Sequence, residues 1–333
     1  MANAAPLAEV WRGPFLESHH SGHAVICDGS GGIIAAWGDP EAVVLPRSSS
    51  KMIQALPLIT SGAADARGLT SEQLALACAS HEGAPIHVDM VNAWLSDLGL
   101  GDDALCCGPQ VSRDKELKLE MIRAFEAPCR VHNNCSGKHA GFLTLAQHLG
   151  AGPNYVDPEH AVQKACLEAF EAVTDQTSPG FGIDGCSAPN FATTMHGMAR
   201  AMAWFATSAQ RSDGLSKAAA RLVDAMYSHP LLVAGEGRAC TRLMRASKEP
   251  VALKTGAEGY FIAILPKRGL GIAVKAADGA TRAAECAIAA LLVRLEVLDA
   301  QDPGVKAFLN PAILNRDGLV TGEIKPAAGL LAQ

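Results

Sequence analysis

The sequence lacks a basic face. Its 333 residues carry 28 Lys+Arg against 34 Asp+Glu, a formal charge of −6, and hold no long Lys/Arg run. A protein that binds a polyanion needs clustered cations to release counterions, so nucleic acid is excluded as the partner class and a small neutral or zwitterionic molecule fits better. A membrane span is missing too. The longest stretch without a charge, between Lys138 and Asp157, contains two histidines, Gln147, three glycines and Pro153. The opening MANAAPLAEVWRG has no basic leader followed by an apolar run, so the expected compartment is cytoplasmic, where the ten cysteines stay mostly reduced. Cys78, Cys166 and Cys286 sit singly in apolar stretches and read as small buried hydrophobes. There is no repeat of roughly 20 to 50 residues, no low-complexity tract and no GxxxxGK[ST] loop. The glycines of residues 29–32 lie in a hairpin, not before a helix, so nucleotide binding has no support.

What is present is a chain 49% hydrophobic and 19% charged, enough to bury a large core. HAVICD (23–28) and GIIAAW (32–37), separated by Gly-Ser-Gly-Gly, predict an antiparallel hairpin. From about 49 to 247 the spacing is helical, over 71–80, 85–98, 114–126, 137–149, 158–173, 193–207 and 215–228. Strand signals return in VALKT, GYFIAILP and LGIAVKA, and ATRAAECAIAALLVRLEVL (280–298) reads as one amphipathic helix. The expected fold is α/β (α+β): an antiparallel sheet from both chain ends, packed by helices, with a large helical insert. The boundaries are one domain over 1–333, its sheet part about 1–47 and 250–333, its insert about 48–249.

Ser48-Ser49-Ser50-Lys51 stands where the β-rich start hands over to the first helix. Three residues apart on a helix, Ser48 and Lys51 share a face with about 5–6 Å between Cβ atoms. A serine hydroxyl becomes a nucleophile when a neutral lysine takes its proton. A second SxxK match, Ser112 to Lys115, precedes a charged helix and reads as an N-cap. Lys254-Thr255-Gly256, on the strand that re-enters the sheet, completes the outer pair of motifs found in active-site serine acyl-transfer enzymes, and Gly256 allows close approach to a substrate. Their middle motif, Ser-Asp-Asn, is absent; Ser80, in ASHEG (79–83), is the best polar replacement. A metal site can be drawn from Cys135, Lys138 or His139, and Cys186, zinc preferring thiolate and imidazole. Spacing favours His139, which shares a helical face with Cys135, although no CxxC or HExxH is present.

Taken together, PRSSSK (46–51), ASHEG (79–83), HNNCSGKH (132–139), GIDGCSAPN (182–190) and KTGAEG (254–259) resemble the rhizobial-type, or class 3, L-asparaginases over nearly the whole chain. The resemblance implies a serine β-lactamase-like fold shared with penicillin-binding proteins, a homodimer, and hydrolysis of L-asparagine to L-aspartate and ammonia. It places two catalytic Ser-Lys pairs on Ser48 with Lys51 and Ser80 with Lys254. It puts Zn2+ on Cys135, Lys138 and Cys186, in place of His139, with Lys138 bound as a neutral amine. In that reading Arg47 binds the substrate α-carboxylate in bidentate fashion, while Asn133, His139 and Gly256 are further substrate-binding candidates, and zinc organises binding without generating the nucleophile. A glutaminase or β-lactamase-like serine hydrolase on the same scaffold is the alternative enzyme, and a non-catalytic zinc-binding relative the alternative from another class. Cys240 reads as packing.

Overall fold

Three consecutive stretches near the chain's end, apolar at nearly every position, require cover on both faces, and this dictates the layering of the sheet. The computed structural model describes residues 3–331. Its sheet has eight strands: β1 (Ala5–Arg12), β2 (Phe15–Cys27), β3 (Ile33–Trp37), β4 (Ala252–Gly256), β5 (Tyr260–Leu265), β6 (Leu270–Ala276), β7 (Ala312–Leu314) and β8 (Val320–Pro326). The order is β7-β8-β1-β2-β6-β5-β4, with β3 also on β2, and every pairing is antiparallel. Both chain ends thus build one sheet, as the sequence predicts. All of β5 is buried, and helices Met195–Ala206 and Thr281–Arg294 both pack on β5 and β6. At Gly271 a Cβ would meet Ala199 O and the Ala203 amide of the first helix, so only glycine admits so close a crossing.

The chain forms two compact units. One holds the residues up to Ser49, Thr193–Thr207 and Ala239 onward; the other holds Ser50–Ala192 and Ser208–Arg238. The sheet unit therefore takes in Met195–Ala206 and Ala239–Ala246, both inside the predicted insert. The second unit is helical, with Ser71–Ala77, Pro85–Asp97, Lys115–Ala124, Ser136–His148, Ala161–Thr174 and Gly214–Ser228 close to their predicted spans.

Several expectations are corrected. The first strand, Ala5–Arg12, lies inside the part expected for the sheet but ahead of the predicted hairpin, where no strand signal is read. The predicted helix 280–298 stops at Arg294, because Glu296 turns the backbone into the left-handed region at φ 56°. Ser112 is not the cap of Lys115–Ala124: Asp114 is, its carboxylate accepting from Leu117 N at 2.8 Å. The Ser112 hydroxyl instead lies 2.9 Å from Gly83 O and accepts from Asp114 N. Cys78, Cys166 and Cys286 are fully buried. Among the described residues no helix is long and apolar enough to cross a membrane.

Candidate active site

In the sheet unit, the chain leaves Pro46 through Arg47 at φ 54°, a left-handed conformation that costs about 1–3 kcal/mol in a non-glycine residue and tends to mark functional turns. The turn Arg47–Ser50 is a 3-10 helix that runs straight into Lys51–Gln54, with Ser48 half-buried on it. The turn is fastened to β4 where Ser49 Oγ donates to Lys254 O at 3.1 Å, and closed on itself where Ser49 N donates to Pro46 O at 3.1 Å. Lys254 is wholly buried, its Nζ 2.6 Å from Thr255 O. Cys240 has a definite contact, its sulfur accepting from Thr255 N at 3.2 Å.

Gly256 explains itself by packing. A Cβ there would stand 2.7 Å from Pro46 O and 2.9 Å from Ser49 Oγ, so the bare α-carbon lets the KTG strand lie against the turn that carries Ser48. Because the nearest atom is a backbone carbonyl, Gly256→Ala is expected to destabilise the fold by about 1–3 kcal/mol, read from the denaturant midpoint. An unchanged midpoint would show that the turn yields freely.

In the helical unit the central group is Lys51, 1% exposed. Its Nζ lies 2.5 Å from Ala79 O, 3.1 Å from Ser80 Oγ, 3.1 Å from Cys135 Sγ and 3.4 Å from Asn134 O. Ser80 is held by its own N–H, which donates to Val233 O at 2.9 Å. The sequence reading pairs Lys51 with Ser48; within this unit the amine meets Ser80, two carbonyls and the Cys135 thiol, contacts that no spacing announces.

The three metal candidates converge in the same unit. Cys135 is the N-cap residue of Ser136–His148 and Lys138 sits in its first turn. Cys186 lies in the hairpin between strands Phe181–Ile183 and Pro189–Phe191, where Ser187 takes φ 68°. Lys138 Nζ is 3.1 Å from Cys186 Sγ. A hydrogen bond from the Cys135 thiol holds Cys186 well below the usual thiol range, while that bond and burial push Cys135 up to about 12. Burial opposes the charge on Lys138, but the Cys186 and Cys135 sulfurs outweigh it and raise its pKa. Cys107, which the sequence reading overlooked in CysCysGlyPro, feels both sulfurs and is raised to about 12, chiefly by burial.

Among the described residues, no group of three or more His, Cys, Asp or Glu side chains is arranged to hold a metal. The trio offers two thiols and an amine instead. These donors fit a zinc ion, with one sulfur already favoured as thiolate and the amine beside it, provided that Lys138 gives up its proton on binding. His139, which spacing favours as third ligand, is turned elsewhere: its Nδ1 is 2.9 Å from Tyr155 Oη, and its ring stands edge-on to Phe142 and Tyr155. Burial, and then the Lys138 charge, hold its pKa well below the ordinary value. Asn133 is committed to its own loop, donating to Cys107 O at 2.8 Å and Gly108 O at 3.1 Å and accepting from Cys135 N at 2.9 Å. It therefore fixes Cys135.

The family model described as L-asparaginase II matches residues 8–326. Among curated proteins none matches the chain. Among solved structures it is similar to Mglu in its native form, at 18% identity and TM-score 0.45 over 84% of this chain and 65% of that one. It is similar also to Mglu in its glutamate form, at 16% identity and TM-score 0.46 over 84% and 62%, and to a β-lactamase from Mycobacterium bovis, at 13% and 0.40 over 79% and 89%. The chain spans a little under two thirds of the length of those Mglu chains.

Proposed function

Because the chain belongs to the L-asparaginase II family, we propose that it hydrolyses L-asparagine to L-aspartate and ammonia through an ester on Ser48. Ser48 Oγ attacks the side-chain amide carbon while Lys51, three residues further along, takes the hydroxyl proton. The backbone N–H of Ser48 and that of a residue just after Gly256 meet the oxyanion. The C–N bond breaks, the nitrogen takes the proton back and leaves as ammonia, and an aspartyl ester remains. Water adds to the ester, hands a proton to the serine-lysine groups, and L-aspartate departs with Ser48 Oγ–H restored. Ser80 and Lys254 act as the second pair that moves protons.

The observation that carries this reading is the buried contact of Lys51 Nζ with Ser80 Oγ at 3.1 Å. An amine surrounded by a hydroxyl, a thiol and carbonyls is suited to passing protons. Arg47 takes the α-carboxylate, and His139 and Asn133 supply further substrate contacts. Cys135, Lys138 and Cys186 would hold zinc, which supplies a fixed positive charge for orienting substrate. The functional particle in this reading is a homodimer.

The test is ammonia release by the purified, zinc-supplied protein from L-asparagine, with L-glutamine and a penicillin in parallel. Release from asparagine alone is expected. Silence on asparagine, or faster release from glutamine, would overturn the proposal.

A further inference from the structure

Tyr155 occurs in no catalytic motif, yet it is wholly buried and clamped at both ends. Its carbonyl accepts from Gln163 Nε2 at 2.7 Å. Its phenol oxygen lies 2.7 Å from Cys106 N and 2.9 Å from His139 Nδ1. A backbone N–H can only donate, so the phenol oxygen accepts from Cys106. The phenol has one proton of its own, which burial keeps in place by raising its pKa, and two acceptors are in reach, the Cys106 side chain and His139 Nδ1 at 2.9 Å; sulfur accepts weakly, so the imidazole nitrogen takes the proton's hydrogen bond. A neutral imidazole that accepts at Nδ1 carries its hydrogen on Nε2. That nitrogen is buried and has no hydrogen-bond partner, an arrangement that is costly in a dry interior unless a ligand completes it. The edge-on rings of Phe142 and Tyr155, 5.7 and 5.4 Å between centroids, keep the imidazole from turning away.

We infer that Tyr155 is a positioning residue that locks His139 in the Nε2–H tautomer, so that the site presents a fixed neutral donor to an oxygen acceptor of the substrate, a carbonyl or carboxylate, and rejects a group that offers N–H there. The inference rests on the reading of His139 as a substrate contact. The lock itself does not depend on which amide is hydrolysed.

The experiment uses the full-length protein labelled with 15N-histidine, with long-range 1H–15N spectra assigned through His139→Gln. The wild type is expected to show the Nε2–H signature for His139, and Tyr155→Phe to lose it. In turnover of L-asparagine, Tyr155→Phe is expected to raise KM about tenfold and leave kcat within about twofold, because a contact made equally in ground and transition states acts on KM. In a His139→Gln background the same substitution should cost nothing further. An Nδ1–H tautomer in the wild type, or an Nε2–H tautomer that survives Tyr155→Phe, would overturn the lock. Loss of the tautomer with KM unchanged would overturn the donor role. Should Tyr155→Phe fail to fold, the wild-type tautomer still decides. Absence of asparagine turnover in the wild type would sink the functional reading alone, since the spectra test the lock independently.

Discussion

Replacing Ser48 with alanine is expected to lower turnover of L-asparagine by about a thousandfold or more, with the unfolding midpoint nearly unchanged. A nucleophile that forms a covalent intermediate cannot be replaced by its neighbours, and such losses commonly run to several powers of ten. The fold should tolerate the change, because Ser48 is only half-buried and the turn is fastened to β4 by Ser49, whose hydroxyl holds Lys254 O. Ser80→Ala is the informative partner. Lys51 touches Ser80 at 3.1 Å, so the same amine has a serine in hand that is not the assigned nucleophile. If Ser80 only relays protons, Ser80→Ala slows both formation and breakdown of the ester yet leaves it on Ser48, where mass spectrometry of the quenched enzyme finds it. Full turnover in Ser48→Ala, with the ester on Ser80, would exchange the two roles.

Much of this arrangement is written in local patterns. The apolar period of AMAWFA and of GLSKAAARLVDAMYS carries helices that the structure reproduces within a residue or two, because one face of each is buried. The strands of 252–276 announce themselves by continuous apolar runs, the mark of a strand covered on both faces. The first strands do not. Phe15–His19 is exposed and offers no apolar alternation, and β1 pairs with β2 through two irregularities, so the signal starts only where burial starts. The short β7 and β8 are half-exposed in the same way.

The candidate site divides along similar lines. SxxK, KTG and the two loops mark where chemistry-bearing side chains are, since their residue types and spacings are unusual. What each side chain touches is set by contacts far apart in sequence. Lys51 reaches Ala79 and Asn134 carbonyls, Asn133 spends its amide on Cys107 and Gly108, and His139 turns to Tyr155. None of these follows from a spacing of three or four. The choice between Lys138 and His139 shows the limit well. Both lie on the first turn after Cys135, and only the tertiary placement of Cys186 decides which of them it meets.

Cys186→Ala should therefore be the most damaging change outside the serines, costing about 3–5 kcal/mol of stability and all bound zinc. The stability loss follows from charge. Lys138 is 4% exposed, and its amine is 3.1 Å from the Cys186 sulfur, which the Cys135 thiol holds toward the thiolate form. Removing one partner of a buried ion pair strands the other in low dielectric, which is far worse than removing both. Lys138→Met paired with Cys186→Ala should accordingly recover much of the stability that Cys186→Ala loses, while recovering no zinc. Metal analysis should find about one zinc per chain in the wild type and almost none in either variant, because the two donors left in the single variant, and the one left in the double, do not make a site. The comparison separates two roles that one substitution confounds. A wild type free of zinc, with the double variant more stable than the single, would leave the trio as a buried ion pair. Zinc retained by Cys186→Ala at unchanged stability would remove Cys186 from the centre altogether.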